Sequence, residues 1–289
     1  MDRASVELRP IRDEDAEVIA AFLHAHLNTR VPVAGWRRLL SPPWETDSPN
    51  HGFQLVSDSA VVGVYVAVYS RRPGDHGRLP VCNLAAFCVL EPYRVHSFRL
   101  LRAIIGQRGY DFTDLSPSGN VVALNERLGF ARLDGRTRLT LNLPAPGRRG
   151  IRVSDDPAVI ERVLDGQDAV VYRDHRAGAA RHLVVVGDDG EYSYLIVRKD
   201  RRKGIPVFAT PIHVGGSRRL LRDAWPRVRS HLLLRHGAIA TLAERRVLGF
   251  EPSLGVDVSA PRPRMFLSRG ARTEAEVDYL YSELALVEW

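Results

Sequence analysis

Apolar and polar positions change their period several times along the 289-residue chain, and each change marks an element. From Asp13 to about Leu27 the apolar residues recur at helical spacing behind Ile11 and an acidic first turn, with Asp13 placed to cap the helix. "GFQLVSDS" and "AVVGVYVAVYS", rich in β-branched and aromatic residues, predict a hairpin, and "RPGDHGR" the turn after it. "LPVCNLAAFCVL" is apolar on both faces, as a central strand is. A helix is predicted from about Ser97 to Gln107, then the strand "YDFTDLS", a "PSG" turn, and the helix "NVVALNERLG" closed by Gly129. "ARLDGRTRLTLNL" reads as one last strand. The plan then returns as "RHLVVVGDD", "EYSYLIVRKD", "IPVFATPIHV", a helix from Ser217, "AIATLAE" and "RVLGF". The tail "TEAEVDYLYSELALVEW" predicts a final helix packed on a core.

The return is visible in the letters as well as in the pattern. "LGF" occurs at Leu128 and Leu248, and "SFRLLR" at Ser97 answers "SRRLLR" at Ser217, both at an offset of 248 − 128 = 217 − 97 = 120. "EVIAAFL" from Glu17 corresponds to "AVIERVL" from Ala158 at 160 − 19 = 141, so the second copy is shorter near its start by 141 − 120 = 21 residues. Three matches in one order argue for duplication. The Pro/Gly-rich joint "LPAPGRRG", Leu143 to Gly150, divides the chain into residues 1–143 and 151–289.

Composition adds a location and a charge. Net charge is +7, almost all of it arginine, since Lys199 and Lys203 are the only lysines. Arginine suits bidentate grip of phosphate or carboxylate, although codon bias accounts for such a composition as well. Cys82 and Cys88, six apart in one strand, are expected on the same face roughly 20 Å apart, beyond the reach of a disulfide. Free thiols fit a reducing cytoplasm. The charged start "MDRASVELRPIRDEDAEV" does not read as a leader, and "AVVGVYVAVY" is about half of a membrane span. A soluble cytoplasmic protein is expected.

The order helix, antiparallel strands, strand–loop–helix, strand, short helix ending in "LGF" resembles the GNAT acyltransferase superfamily. The resemblance covers both halves and implies an α/β chain with α+β mixed sheets: two tandem GNAT-like acyl-CoA N-acyltransferase folds, the second degenerate. "YRVHSFR" at Tyr93–Arg99 stands where that family carries a glycine-rich loop around the pyrophosphate of acyl-coenzyme A. Val95, Ser97 and Arg99 replace its small residues. Ser97 is a good N-cap, and Arg94, His96 and Arg99 can contact phosphate, as can the helix N-terminus. The cofactor-binding set implied is therefore Cys88, Val89, Leu90, Arg94, Val95, His96, Ser97, Phe98 and Arg99, with an amide near Cys88–Leu90 polarising the thioester carbonyl. The second copy has "HVGGSRR" at this place, with glycines but without the Tyr-Arg pair.

Acyl transfer to an amine also needs a base and a stabiliser for the leaving thiolate. In the family a tyrosine five residues before the final Phe often acts as the acid; here that position is Asn125, which can hydrogen bond but cannot protonate. Asp114 in "FTDLSPS" is the candidate base, with a turn-forming Asp as the structural alternative. Ser116 and Asn83 are polar groups on central strands that need partners when buried. Cys88 has no evident His partner and reads as a small hydrophobe. His24 and His26 cannot face one metal, and no HxxxH or CxxC pair exists, so no metal is expected. "VVVGDDGE" is a hairpin turn without calcium-ligand spacing. The expected enzyme moves an acyl group, acetyl in the first instance, from acyl-CoA to an amine of a small molecule or peptide. Two alternatives stand beside it. One is a GNAT-fold binding or regulatory protein without catalysis. The other is an aminoacyl-tRNA-dependent transferase, for which the arginine run "SRRLLRDAWPRVRSHLLLRH" is the nucleic-acid candidate, without an aromatic RNA-reading motif.

Overall fold

A computed structural model describes residues 5–72, 77–146, 150–202, 205–258 and 263–288. Parts of the "RPGDHGR" turn (73–76) and of the joint (147–149) lie outside the described residues.

The first half runs β1 (Glu7–Pro10), α1 (Ala16–His26), α2 (Val33–Leu40), β2 (Gly52–Ser57), β3 (Ala60–Ser70), β4 (Val81–Val89), α3 (Ser97–Ile105), β5 (Asp111–Asp114), α4 (Gly119–Arg127), β6 (Ala131–Arg132) and β7 (Thr137–Leu141). The second runs β8 (Ile151–Ser154), α5 (Pro157–Val163), α6 (Gly166–His175), β9 (Arg181–Gly187), β10 (Tyr192–Arg202), β11 (Ile205–Gly216), α7 (Arg218–His236), β12 (Ala240–Glu244), α8 (Arg245–Leu248), β13 (Val256–Val258), β14 (Met265–Leu267) and α9 (Glu283–Leu286). Local chemistry explains most of these bounds. Asp58 and Ser59 take positive φ (49° and 64°), which gives the two-residue turn between β2 and β3 the twist a hairpin needs. Acidic Asp13–Asp15 forms a 3-10 turn ahead of α1; the N-cap residue of that turn is Arg12, and the Asp15 side chain reaches back to accept the Arg12 amide at 2.9 Å. Asp13 instead bonds His51.

Two mixed seven-stranded sheets result, ordered β1-β2-β3-β4-β5-β14-β6 and β13-β7-β12-β11-β10-β9-β8. Each contains one parallel pair, β4 with β5 and β11 with β12, among otherwise antiparallel neighbours. The sheets exchange a strand. β7, from the first half, lies between β12 and β13; β14, from the second, lies between β5 and β6. "ARLDGRTRLTLNL" is thus two strands in two sheets, because "LDG" turns the chain out of the first sheet after β6. One apolar cluster joins the α1–α2 face of the first sheet to the second sheet and to the chain end, and a smaller one lies under α3.

Two further expectations are corrected. The tail is no single helix. It is a 3-10 turn at Glu274–Glu276, an extended stretch, and the one-turn α9, because Arg72, Glu244 and His175 bond the stretch residue by residue and hold it open. Its apolar residues are core, as expected. Cys82 and Cys88 do not share a face. The β3–β4 register slips so that Ala67 pairs Leu84 while Val66 pairs Ala86, which makes Ala85 a one-residue bulge. Parity flips across it: Cys82 packs under α3, and Cys88 packs in the larger cluster. Both thiols are free and buried.

Candidate active site

The bulge at Ala85 coincides with a fork. β4 and β5 pair in parallel only from Val81↔Asp111 to Leu84↔Asp114. Past that point β4 continues to Val89 with β3 on one edge and, among the described residues, no strand on the other. The Leu90 amide donates to Val62 O at 2.9 Å, which fixes the alternation. The amides of Cys88 and Ala86 then also face β3, and those of Val89 and Phe87 face the open edge. Within the expected Cys88–Leu90 set, Val89 is therefore the residue whose amide is positioned to polarise a carbonyl in the fork.

The four expected catalytic residues meet at the base of that fork. Asp114 ends β5; its Oδ2 accepts from Asn125 Nδ2 on α4 at 2.8 Å and from the Tyr65 hydroxyl on β3 at 3.3 Å. Asn83 Nδ2 and Ser116 Oγ each donate to Glu283, at 2.6 Å apiece, and Thr113 Oγ1 donates to Asn83 Oδ1 at 2.9 Å. Asp114, Asn125, Asn83 and Glu283 are all buried. Burial pushes the Asp114 carboxyl up to about 7, with the Glu283 charge adding to the effect and the bonds from Asn125, Tyr65 and the Ser116 amide opposing it. Burial also raises Glu283 and, with the Asp114 charge behind it, Tyr65. A carboxyl that ionises near neutrality is matched to general-base work, typically worth 10²–10⁴-fold. Asn125 Oδ1 is buried without a partner.

Glu283, Tyr65 and Thr113 were not expected here. Glu283 had a signal: one acid between Tyr279 and Val287, in a stretch whose other residues are apolar or hydroxylated. Such an acid must find donors when it is buried. Tyr65 gave no signal, being one of several aromatics in a buried strand.

The expected cofactor loop differs from expectation. Residues Glu91–His96 form a 3-10 helix that runs straight into α3. Pro92 fixes φ in its first turn and starts the helix early. Tyr93 N–H bonds Leu90 O and Ser97 N–H bonds Arg94 O, so Ser97 is helical and caps nothing. Arg99 reaches Val6 O at 3.0 Å, and Arg94 lies 3.8 Å from Glu91 on the exposed surface. Val95 and Phe98 are exposed, Ser97 and His96 partly so, and Cys88 is buried. A backbone cradle is closed here, which leaves the Arg94 and His96 side chains for any phosphate.

The second half repeats the fork. β11 and β12 pair only at Phe208↔Ala240 and Ala209↔Thr241, and β11 carries its own bulge at Ile212. Its helix does have a side-chain cap, Ser217 Oγ accepting from Leu220 N at 3.1 Å. However, Asp168 lies against Gly215, where an added Cβ would collide with its carboxylate, and is held by Tyr192. The arginine run of α7 is occupied within the chain: Arg218 bonds Val247 O, Arg219 Glu191, and Arg229 Leu141 O, while Arg222 lies over Phe250. The 650 Å³ cavity lined by residues such as Asp13, Trp44 and His51 contains none of the Asp114 group. Among the described residues no helix is long and apolar enough to cross a membrane.

No protein-family model and no curated protein matches the sequence. Solved structures do match. A candidate acetyltransferase from Pyrococcus horikoshii superposes with a TM-score of 0.54 over 100% of this chain and 96% of its own, at 16% identity. The chain has the GNAT fold. A GCN5-related N-acetyltransferase from Anabaena variabilis gives 0.57 over 91% of this chain and 72% of its own, at 12% identity. The GCN5-related glucosamine N-acetyltransferase region of a fungal multi-domain β-N-acetylglucosaminidase gives 0.58 at 12% identity, over 92% of this chain and 38% of that one. The likeness is one of fold; function is argued from the site.

Proposed function

We propose that this GNAT-fold protein is an acyl-CoA-dependent N-acyltransferase whose reactive centre is the fork of the first sheet. One observation carries the reading: an open strand edge with two unpaired amides meets a buried carboxyl of pKa about 7. The amide-bearing arm of an acyl-CoA can lie along an open edge as an added strand does. The Val89 amide then polarises the thioester carbonyl, and Asp114 takes the proton that the attacking amine must lose. Glu283, fixed by Asn83 and Ser116, helps to raise the Asp114 carboxyl; Asn125 orients Asp114 in place of an acid. The acceptor is a small-molecule or peptide amine, acetyl the first acyl group to try. The second half is structural in this reading.

A second reading has its own observation. Asp114, Asn125 and Glu283 are at most 3% exposed, and Glu283, from the chain end, bonds Asn83 and Ser116 beside them. That suits a protein which has kept the fold without turnover, or whose chain end must move before substrate enters. Hydrogen exchange with acetyl-CoA separates the cases. The first reading expects slowed exchange at Phe87–Leu90 and none at Thr210–Gly216. Unchanged exchange at both forks at millimolar acetyl-CoA supports the second reading and removes the first.

A further inference from the structure

His231 and His236 are five apart on α7, a spacing that helical geometry does not associate with a shared ion. The end of the helix alters that. His236 is its last residue, before Gly237 turns the chain in the left-handed conformation. Both imidazoles point at Asp155, which lies between β8 and α5 on a different segment. His231 Nε2 is 3.5 Å from Asp155 Oδ1, and His236 Nε2 is 3.2 Å from Asp155 Oδ2. One ligand atom from each of the three residues lies within 4.8 Å of the other two.

Both Nε2 atoms are shielded from solvent and have no hydrogen-bond partner, although a carboxylate oxygen is close to each. The imidazoles therefore aim beside the oxygens and not at them. A metal ion bonded at about 2.0–2.2 Å to nitrogen and oxygen in a tetrahedron holds its ligand atoms about 3.4 Å apart. Each imidazole lies near that separation from one Asp155 oxygen, 3.5 Å from Oδ1 and 3.2 Å from Oδ2, and a modest closing of the three groups, which already lie within 4.8 Å, completes the set. The charged neighbours are Arg181 and Arg235, the latter 4.0 Å from Asp155 and 68% exposed. His236 also lines a cavity of about 190 Å³ with Arg181 and Arg235.

We propose that Asp155, His231 and His236 form a binding site for a divalent first-row metal ion, zinc by choice of donors, that clasps the β8–α5 connection to the end of α7. Two imidazoles and one carboxylate suit zinc better than calcium or magnesium, which take oxygen donors. The clasp has no part in the reaction of the first-half fork. It stabilises the second half by mass action, raising the melting temperature by about 5 °C or more at one hundred times the Kd.

The test uses the full chain, stripped with chelator and titrated with cobalt(II) chloride and then zinc chloride. One equivalent of cobalt per chain should give the intense visible bands of four-coordinate cobalt, and zinc should bleach them. His236→Ala and the isosteric Asp155→Asn should each weaken binding at least tenfold, whereas Arg235→Ala should bind as well or better. Melting of the metal-free variants establishes that they fold. If His236→Ala does not fold, Asp155→Asn alone decides. No stoichiometric binding, or equal affinity in the parent and Asp155→Asn, overturns the site.

Discussion

Asp114→Asn keeps the shape of the side chain and removes its ionisation. In the fold this carboxyl has a pKa of about 7, against about 3.9 in an unfolded chain. Below pH ~4 it is protonated in both states and costs nothing. Between ~4 and ~7 the unfolded state gives up its proton while the folded state keeps it, so stability falls as pH rises. Above 7 the full penalty applies, about three pKa units at 1.36 kcal/mol each, or roughly 4 kcal/mol. Asparagine escapes that penalty but has its own. One amide oxygen can accept from Tyr65 and Asn125, leaving the NH₂ facing the Ser116 amide, donor against donor, at about 1–3 kcal/mol. The variant should therefore be less stable than the parent at pH 4 and as stable or more so at pH 8.5. The difference between them should shift by about 4 kcal/mol over that range. Urea unfolding of both proteins at four pH values measures it. The difference is the quantity to follow, because His175 tilts the parent the other way. Its pKa is depressed to about 3 by burial, so its contribution is lost as pH falls from ~6.5 toward 3, and it cancels between the two proteins. A difference that stays constant with pH would falsify the burial of an ionisable Asp114.

Arg72→Ala should cost about 3 kcal/mol in chemical denaturation. Its Nε lies 2.8 Å from Asp278 and its Nη2 3.1 Å from Leu280 O, tying the chain end to the first sheet; a loss under ~1 kcal/mol would mean the end docks without it. Residues 1–146 alone should aggregate, since their sheet lacks β14, and should become soluble when co-expressed with 150–289; a folded, monomeric 1–146 would contradict the strand exchange. Arg94→Glu should weaken acetyl-CoA binding at least tenfold by setting a negative charge beside the phosphates; calorimetry showing unchanged affinity would place the phosphate grip elsewhere.

Periodicity located most of the strands and helices, because their buried faces are regular and their turns use Gly, Pro and Asp where the backbone demands them. It could not locate the exchange of β7 and β14. Both strands alternate well enough for either sheet, and which sheet they join depends on contacts more than a hundred residues away in sequence. The bulge at Ala85 was equally silent, and it alone separated Cys82 from Cys88. Ser116 and Asn83 were readable as polar residues on buried strands that needed partners, Asp114 as a candidate base, and Asn125 only through the family resemblance. Glu283, the common partner of Ser116 and Asn83, lies 167 residues beyond Ser116, and no local pattern joins them. Ser97 misled because its short polar side chain before an apolar run looks like a cap, while Pro92 had already started the helix.

The most direct measurement of the central claim is amine-dependent release of the CoA thiol from acetyl-CoA between pH 5.5 and 9. It would use the parent, Asp114→Asn and Glu283→Gln against a panel of primary amines from polyamine, amino-sugar and peptide classes. The account predicts a rate that rises through an inflection near pH 7 in the parent. It predicts a loss of about 10²–10⁴-fold in Asp114→Asn with acetyl-CoA protection at Phe87–Leu90 retained, and an inflection moved to lower pH in Glu283→Gln, where the neighbouring charge is gone. An Asp114→Asn protein that keeps the parent's rate and pH profile would contradict it, as would a parent that releases no thiol above the uncatalysed rate with any of these amines.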